Sequence, residues 1–376
     1  MNLSDIVAQT QAYYCLDCGM CTGSCPVARV SPDFSPRLMV EKTLMDEEDD
    51  IFRSPNIWSC LSCGQCSVRC PARIDYPEFV RQVRAEAVNS GVACTPAHRG
   101  LFQGIMRLQA LGAKQSKTEW AREAGKTAES GDTYYFVGCA PFFDVEFNVD
   151  WGLDVMEGPR GVLKLLNAAG VTPVIHDDER CCGHDLLWNG DRENFARLAR
   201  QNIDLIKGLG CKRVVFSCPE GYLTFKKYYP EVVGDSGLEF VHFYELLAER
   251  VKSGDVTFQP SEGVLTYHDP CRLGRQAGIM DSPRELLLSI PGIKLNEMDH
   301  NRENALCCGT SAWMTCSSCS KEIQKTRIKE AEATGAQTLV TACPKCRLHL
   351  SCALRDMETD LKIRDINDLL AQSLTV

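Results

Sequence analysis

The 376-residue chain has no apolar run approaching the roughly 20 residues that a membrane-spanning helix needs. Its first residues, MNLSDIVAQTQAYYC, lack the basic start and apolar stretch of a secretory leader. A cytoplasmic location is therefore expected, with any membrane association supplied by a partner. Basic residues are in deficit, 41 Lys and Arg against 50 Asp and Glu, a net charge of −9 that argues against a nucleic-acid binder, which would need a basic face. No G-x-G-x-x-G follows a β-rich run, and no phosphate-cradling G-x-x-x-x-G-K-[ST] loop is present. Hydride chemistry therefore has to come from another chain. Cysteine is abundant, at 22 residues. In a reducing compartment these thiols read as ligands rather than disulfides.

Eight cysteines fall in the first 70 residues. Cys15-x2-Cys18-x2-Cys21-x3-Cys25-Pro26 is repeated as Cys60-x2-Cys63-x2-Cys66-x3-Cys70-Pro71. This is the bacterial ferredoxin run, in which three closely spaced thiolates wrap one cube and the fourth reaches the neighbouring cube. The expected ligand sets are Cys15, Cys18, Cys21 and Cys70 for one [4Fe–4S] cubane, and Cys60, Cys63, Cys66 and Cys25 for the other. Gly19 and Gly64 sit between ligands, where backbone comes close to sulfur. Phe34–Phe52 and Pro77–Asn89 read as helices, so the module is expected to be helical. The acidic run 46–50 reads as a solvated loop, with docking of a basic partner as the alternative.

A polar stretch, 112–132, reads as a linker or exposed helix. Beyond it the chain repeats itself over about 110 residues. Cys139 aligns with Cys271, Cys181-Cys182-Gly183 with Cys307-Cys308-Gly309, and Cys218-Pro219 with Cys343-Pro344. Each half has Pro-Arg before an apolar helix (Pro159-Arg160, Pro283-Arg284) and an acidic-Leu-Leu-Ala close (245–248, 368–371). The runs 134–139, 213–218, 264–271 and 338–343 read as strands that end at ligand cysteines. Helices lie between, among them Arg192–Leu209, and Ser282 with Glu285 reads as a capping box. Alternating strands and helices imply a parallel sheet in each half, with cysteines on loops at the strands' carboxyl ends. The expected fold is thus an α-helical ferredoxin module (1–111), a linker (112–132) and two duplicated α/β domains with parallel sheets (133–255 and 256–376).

The second repeat offers five thiolates, Cys271, Cys307, Cys308, Cys343 and Cys346, where a cube takes four. Adjacent cysteines strain on two corners of one cube, which suggests a larger or irregular cluster. Here the sequence resembles the CCG domain found in the B subunit of heterodisulfide reductase. The whole order is similar to the D subunit of that enzyme, a natural fusion of its C and B subunits. The residues that carry the likeness are Tyr267-His268-Asp269-Pro270-Cys271, Cys307-Cys308-Gly309 and Ala342-Cys343-Pro344-Lys345-Cys346, with Arg180-Cys181-Cys182-Gly183-His184 and Tyr222-Leu223-Thr224-Phe225-Lys226 in the first repeat. The resemblance implies a noncubane [4Fe–4S] cluster on the five cysteines, acting as a disulfide-cleaving site. It also implies electrons supplied by a flavoprotein resembling the A subunit of heterodisulfide reductase. The same domain order resembles non-catalytic relays in complexes like class II benzoyl-coenzyme A reductase, and the iron–sulfur subunits of glycolate and glycerol-3-phosphate dehydrogenases.

The first repeat departs from the pattern, because Gly221 stands where the last cysteine belongs. Cys139, Cys181, Cys182 and Cys218 then form a degenerate site. It holds a cube, or an altered cluster with an outside ligand such as Glu220, or nothing. His268, just before Cys271, suits a proton donor to a leaving thiolate, against a plain strand-end role. His184 and His349 read as tuning groups or ordinary loop histidines. Cys316-x2-Cys319 reads as helix packing rather than a redox dithiol, and Cys94, Cys211 and Cys352 as core thiols. Lys345 and Arg347 read as solvated loop cations.

Overall fold

The computed structural model describes residues 3–45, 47–314 and 316–375, and the backbone alone of residues 48 and 49. Asp46, first of the acidic run, lies outside the described residues. Glu47 and Asp50 are exposed and share the Lys42 ammonium.

The N-terminal part is helical, as the pattern implies. The expected helix at Phe34–Phe52 is two, Pro36–Leu44 and Glu48–Phe52. Ser35 caps the first through Leu38 N–H, with Pro36 at the first turn, where a missing N–H costs nothing. The helix Tyr76–Asn89 is capped by Asp75 and buries Phe79, Val80, Val83 and Ala87. Arg84 on the same helix is fully buried. Its Nε donates to Ile57 O and its Nη2 to Cys60 O, both at 2.7 Å, and its Nη1 to Trp188 O at 3.2 Å. One guanidinium thus satisfies carbonyls from two domains, where an unpaired buried charge would be strongly destabilising.

The linker stretch is not a free tether. It contains the short helix Ala121–Ala124, and Lys117 within it is buried, its ammonium 2.6 Å from Glu179 and 3.0 Å from Gly138 O.

Seven strands occur among the described residues, all in parallel pairs. The first repeat holds β1 (Thr133–Phe136), β2 (Arg213–Phe216) and β3 (Glu239–His242), in the order β1-β2-β3. The second holds β4 (Gly263–His268), β5 (Ile293–Leu295), β6 (Thr338–Thr341) and β7 (Lys362–Asp365), in the order β5-β4-β6-β7. Strands β1, β2, β4 and β6 are the expected apolar runs. Strands β3, β5 and β7 were not legible, because their residues are partly exposed and no apolar run marks them.

The helix Arg192–Gly208 starts at an Asp191 cap and buries Phe195, Leu198, Ala199, Ile203 and Ile206, the expected face. The capping box is a correction. The helix runs Ser282–Leu288, Ser282 is its first helical residue, and its hydroxyl has no partner. Arg284 is instead drawn to Asp269, at 2.7 and 2.8 Å, and to Glu297, which orients this turn without a side-chain cap.

The repeats pack reciprocally. The Pro-Arg helix of the first, Glu157–Ala168, lies on the closing helix of the second, Ile366–Gln372. The closing helix of the first, Phe243–Lys252, lies on the Pro-Arg helix of the second. Such an exchange is what a two-fold relation between duplicated domains produces. It turns the carboxyl ends of both sheets, and their cysteine loops, toward one another and toward the helical module.

Candidate metal centre

In the helical module Cys15, Cys18, Cys21 and Cys70 line one cavity. Cys18 is exposed there, beside the exposed side chains of Tyr13, Tyr14, Leu16 and Met20. Cys25, Cys60, Cys63 and Cys66 are all buried and gathered close to one another. Burial pushes Cys25 up to about 12, with Cys63 and Cys60 adding to the rise. Such thiols need a compensating metal charge to ionise. Cys66 also borders the first cavity, between the two groups.

The second repeat brings its five cysteines, four buried and Cys271 half-buried, into one chain of neighbouring sulfurs, Cys271 to Cys307, Cys307 to Cys308, Cys308 to Cys346 and Cys346 to Cys343. The chain continues into the helical module, because the Cys63 thiol lies against Cys307. That contact, helped by the Arg275 guanidinium, brings the Cys63 thiol down to about 6. Arginines fasten the junction. Arg275 Nη1 donates to Cys63 O at 2.7 Å, and Arg272 Nη2 donates to Ser62 Oγ at 2.9 Å while its plane lies over Trp188 of the first repeat. Gln276 donates to Ser62 O at 2.9 Å, and the hydroxyls of Ser62 and Ser311 are 3.0 Å apart. The spacing of the cysteines gave no signal for these clamps, since they join residues more than 200 positions apart.

His268 ends β4 and is buried. Arg327 Nε donates to its Nδ1 at 3.0 Å, so the other ring nitrogen carries the proton and meets Cys308. Burial holds the ring below its ordinary pKa. The ring is thus held neutral between Arg327 and Cys308. His349 is also buried, 4.8 Å from the Trp313 ring.

The first repeat gathers Cys139, Cys181, Cys182 and Cys218 around a second cavity, with Cys139 and Cys181 sulfurs 2.8 Å apart. Glu220 is not free to serve as an outside ligand. Its Oε1 faces His184 Nε2 at 3.3 Å and its Oε2 meets the Lys345 ammonium at 2.6 Å. The same ammonium binds Asp185. His184 and Lys345 hold the Glu220 carboxyl well below its ordinary range, against the burial that opposes ionisation. Lys345 and Arg347 are therefore not solvated loop cations. Both are buried on the helix Pro344–Leu354, and Arg347 pairs with Glu157 at 2.8 Å.

The remaining cysteines also differ from expectation. Cys211 is buried, whereas Cys94 and Cys352 are half-buried. Cys316 is exposed and precedes the helix Ser318–Ala333, and of the pair only Cys319 lies on that helix. Lys321 donates to Cys352 Sγ at 3.0 Å.

The donor sets of the helical module and of the second repeat fit iron–sulfur clusters, being sulfur-rich and convergent. The family model of the 4Fe-4S dicluster domain matches residues 11–74, and that of the cysteine-rich CCG domain matches 133–226 and 265–351. The D subunit of the dihydromethanophenazine:CoB–CoM heterodisulfide reductase of Methanosarcina mazei is 30% identical over 269 residues, covering 69% of this chain and 63% of that protein. The chain is a dicluster–CCG iron–sulfur protein related to the D subunit of heterodisulfide reductase. The EtfAB:quinone oxidoreductase of Syntrophomonas wolfei is 28% identical over 64% of this chain and 34% of its own length. The chain thus spans less than two thirds of either relative. A crystal structure of a hypothetical protein from Helicobacter pylori superposes with a TM-score of 0.61 at 11% identity, over 99% of this chain and 76% of that one, a likeness of fold. The chain thus carries a 4Fe-4S dicluster domain followed by two cysteine-rich CCG regions. Among the described residues no helix is long and apolar enough to cross a membrane.

Proposed function

We propose that this chain is the iron–sulfur electron-transfer component of a multi-subunit oxidoreductase, linking a flavoprotein to the five-cysteine site of the second repeat. One observation carries the reading, the contact of Cys63 with Cys307. A ligand cysteine of the helical module touches a ligand cysteine of the second repeat, and Arg272 and Arg275 clamp the loop between them. Clusters bound there supply one-electron transfer. The chain's own residues set the spacing, exclude water and orient sulfur. The proposed ligand sets are Cys15, Cys18, Cys21 and Cys70; Cys60, Cys63, Cys66 and Cys25; and Cys271, Cys307, Cys308, Cys343 and Cys346 for a noncubane site. The proposed modules are 1–111, 133–255 and 256–376, joined by 112–132. The Cys18 face, where ligand and apolar side chains are exposed, is the side proposed to meet the flavoprotein.

Protein purified without air should carry about twelve irons with matching acid-labile sulfide, and show three paramagnetic species on stepwise reduction. Cys346→Ser should remove the third species and about four irons, whereas Cys182→Ser should leave both unchanged. Equal losses in the two variants would overturn the assignment.

A further inference from the structure

The two repeats differ at the residue after Cys-Pro. It is Glu220 in the first and Lys345 in the second, and these two equivalent residues meet each other. Their contact lies between the cysteine loops, since Cys218 is close to Cys343. Around it the first repeat contributes Asp185 and Glu220, and the second contributes Lys345 and Arg272. Two carboxylates face two cations. The group is almost dry, with side-chain exposures of 1% for Asp185, 8% for Lys345 and 12% for Glu220. Charge is balanced within the protein, so an anionic molecule entering from this side finds no unneutralised cation to pair with.

Four of the second repeat's five cysteines are buried and Cys271 is half-buried, with further groups packed around them. Ser62 and Cys63 close the side of the helical module. Trp313, 1% exposed, stacks 4.4 Å from Phe102 and lies beside His349. The Lys345 ammonium stands 5.9 Å from that indole and 6.0 Å from the Phe143 ring, so the aromatic wall and the ion pair are continuous.

We propose that the Lys345–Glu220–Asp185 group is a seal between the repeats, which makes the five-cysteine site a relay closed to small thiols and disulfides. The inference rests on the electron-transfer reading above and narrows it. This protein does not cleave a disulfide itself but hands its electrons to another component of the complex.

The test uses the anaerobically purified, cluster-loaded chain. The third paramagnetic species is recorded before and after millimolar 2-mercaptoethanol or bis(2-hydroxyethyl) disulfide. Presence of that species in untreated protein is read first, and its absence sinks the electron-transfer reading together with the seal. Given its presence, the seal requires an unchanged spectrum in the wild type and a shifted one in Lys345→Ala. A spectrum that shifts in the wild type overturns the seal and leaves electron transfer intact. An unchanged spectrum in both proteins overturns the role of Lys345. Should Lys345→Ala fail to fold, Glu220→Ala, which removes one of the two carboxylates on the ammonium and leaves Asp185, takes its place with the same two outcomes.

Discussion

The two CCG repeats share a scaffold and differ at the site. In the second, β4 ends on His268 and β6 on Thr341, and the cysteine loops beyond them converge on a chain of five sulfurs. In the first, the equivalent strand ends are Phe136 and Phe216. Their rings pack at 5.5 Å and on Phe225 at 4.7 and 4.8 Å. The loss of a fifth cysteine at Gly221 is thus part of a wider replacement, in which polar groups under the sulfurs have become aromatic core. One copy presents five thiols over polar strand ends, and the other presents four over an aromatic core. Duplication lets one site drift as long as the shared interface is kept, and here the drifted copy supplies Glu220 and Asp185 to the wall of the intact one.

That interface is unequal on its two sides, and this gives the largest expected effect. Gly161 lies so near the closing helix of the second repeat that a Cβ there would stand 2.5 Å from Asn367 O. Its counterpart is Glu285, which reaches outward to Lys252 at 2.9 Å. Gly161→Ala has to push two backbones apart and should cost about 1–3 kcal/mol, as overpacking does. Glu285→Ala removes an exposed ion pair and should cost less than about 0.5 kcal/mol. Urea unfolding of both variants checks this. Equal effects would mean that the two helix contacts are alike after all.

The helix caps differ in the same way, with consequences for pH. His242 at the end of β3 accepts from Tyr244 N–H, while Asp365 at the end of β7 accepts from Asn367 N–H. Burial drives His242 down to about 3 and raises Asp365. A histidine depressed in the folded state contributes its full stability above its unfolded value near 6.5, and loses it as pH falls from there toward 3. The raised Asp365 acts in the opposite sense, favouring the fold at low pH. His242→Asn keeps an acceptor for the cap and removes the titration. Between about pH 6 and pH 5 its stability should fall less steeply than the wild type's, by roughly 1.4 kcal/mol per unit. Unfolding midpoints across that range decide it, and parallel curves would place the acid sensitivity elsewhere.

Much of the site was legible because its chemistry is local in sequence. Thiolates spaced by two residues, or adjacent before a glycine, answer to the geometry of one loop. Gly183 and Gly309 show why the third position is fixed as well. Both are at positive φ, and a Cβ on Gly309 would meet Ser320 O at 2.7 Å. The gap at Gly221 was legible for the same reason. The burial of Lys345 was not, since a cation between two ligand cysteines looks solvated until Asp185 and Glu220, more than 100 residues away, are brought against it. Nor were the clamps of Arg272 and Arg275 on Ser62 and Cys63. The ion pairs and hydrogen bonds that join the domains are contacts between distant residues, and no periodicity records them. The same limit explains the mistaken cap at Ser282, where a tertiary ion pair between Arg284 and Asp269 outweighed a local motif.

The smallest expected effect is a null result, and it bears most directly on why the repeats differ. Gly221→Cys would restore the fifth thiol to the first repeat. Space for the Cβ exists, 3.5 Å from Phe216 and 3.8 Å from Phe136, so the variant should fold. The added thiol would rest against phenyl rings, in place of the His268 and Thr341 surroundings of Cys346, and no imidazole N–H would face the paired cysteines. Apolar surroundings keep a thiol protonated and disfavour metal. Iron and sulfide per chain should therefore stay unchanged, while titration under denaturing conditions finds one additional thiol. A gain of about four irons would show that one missing ligand, and not the aromatic replacement beneath it, separates the two repeats.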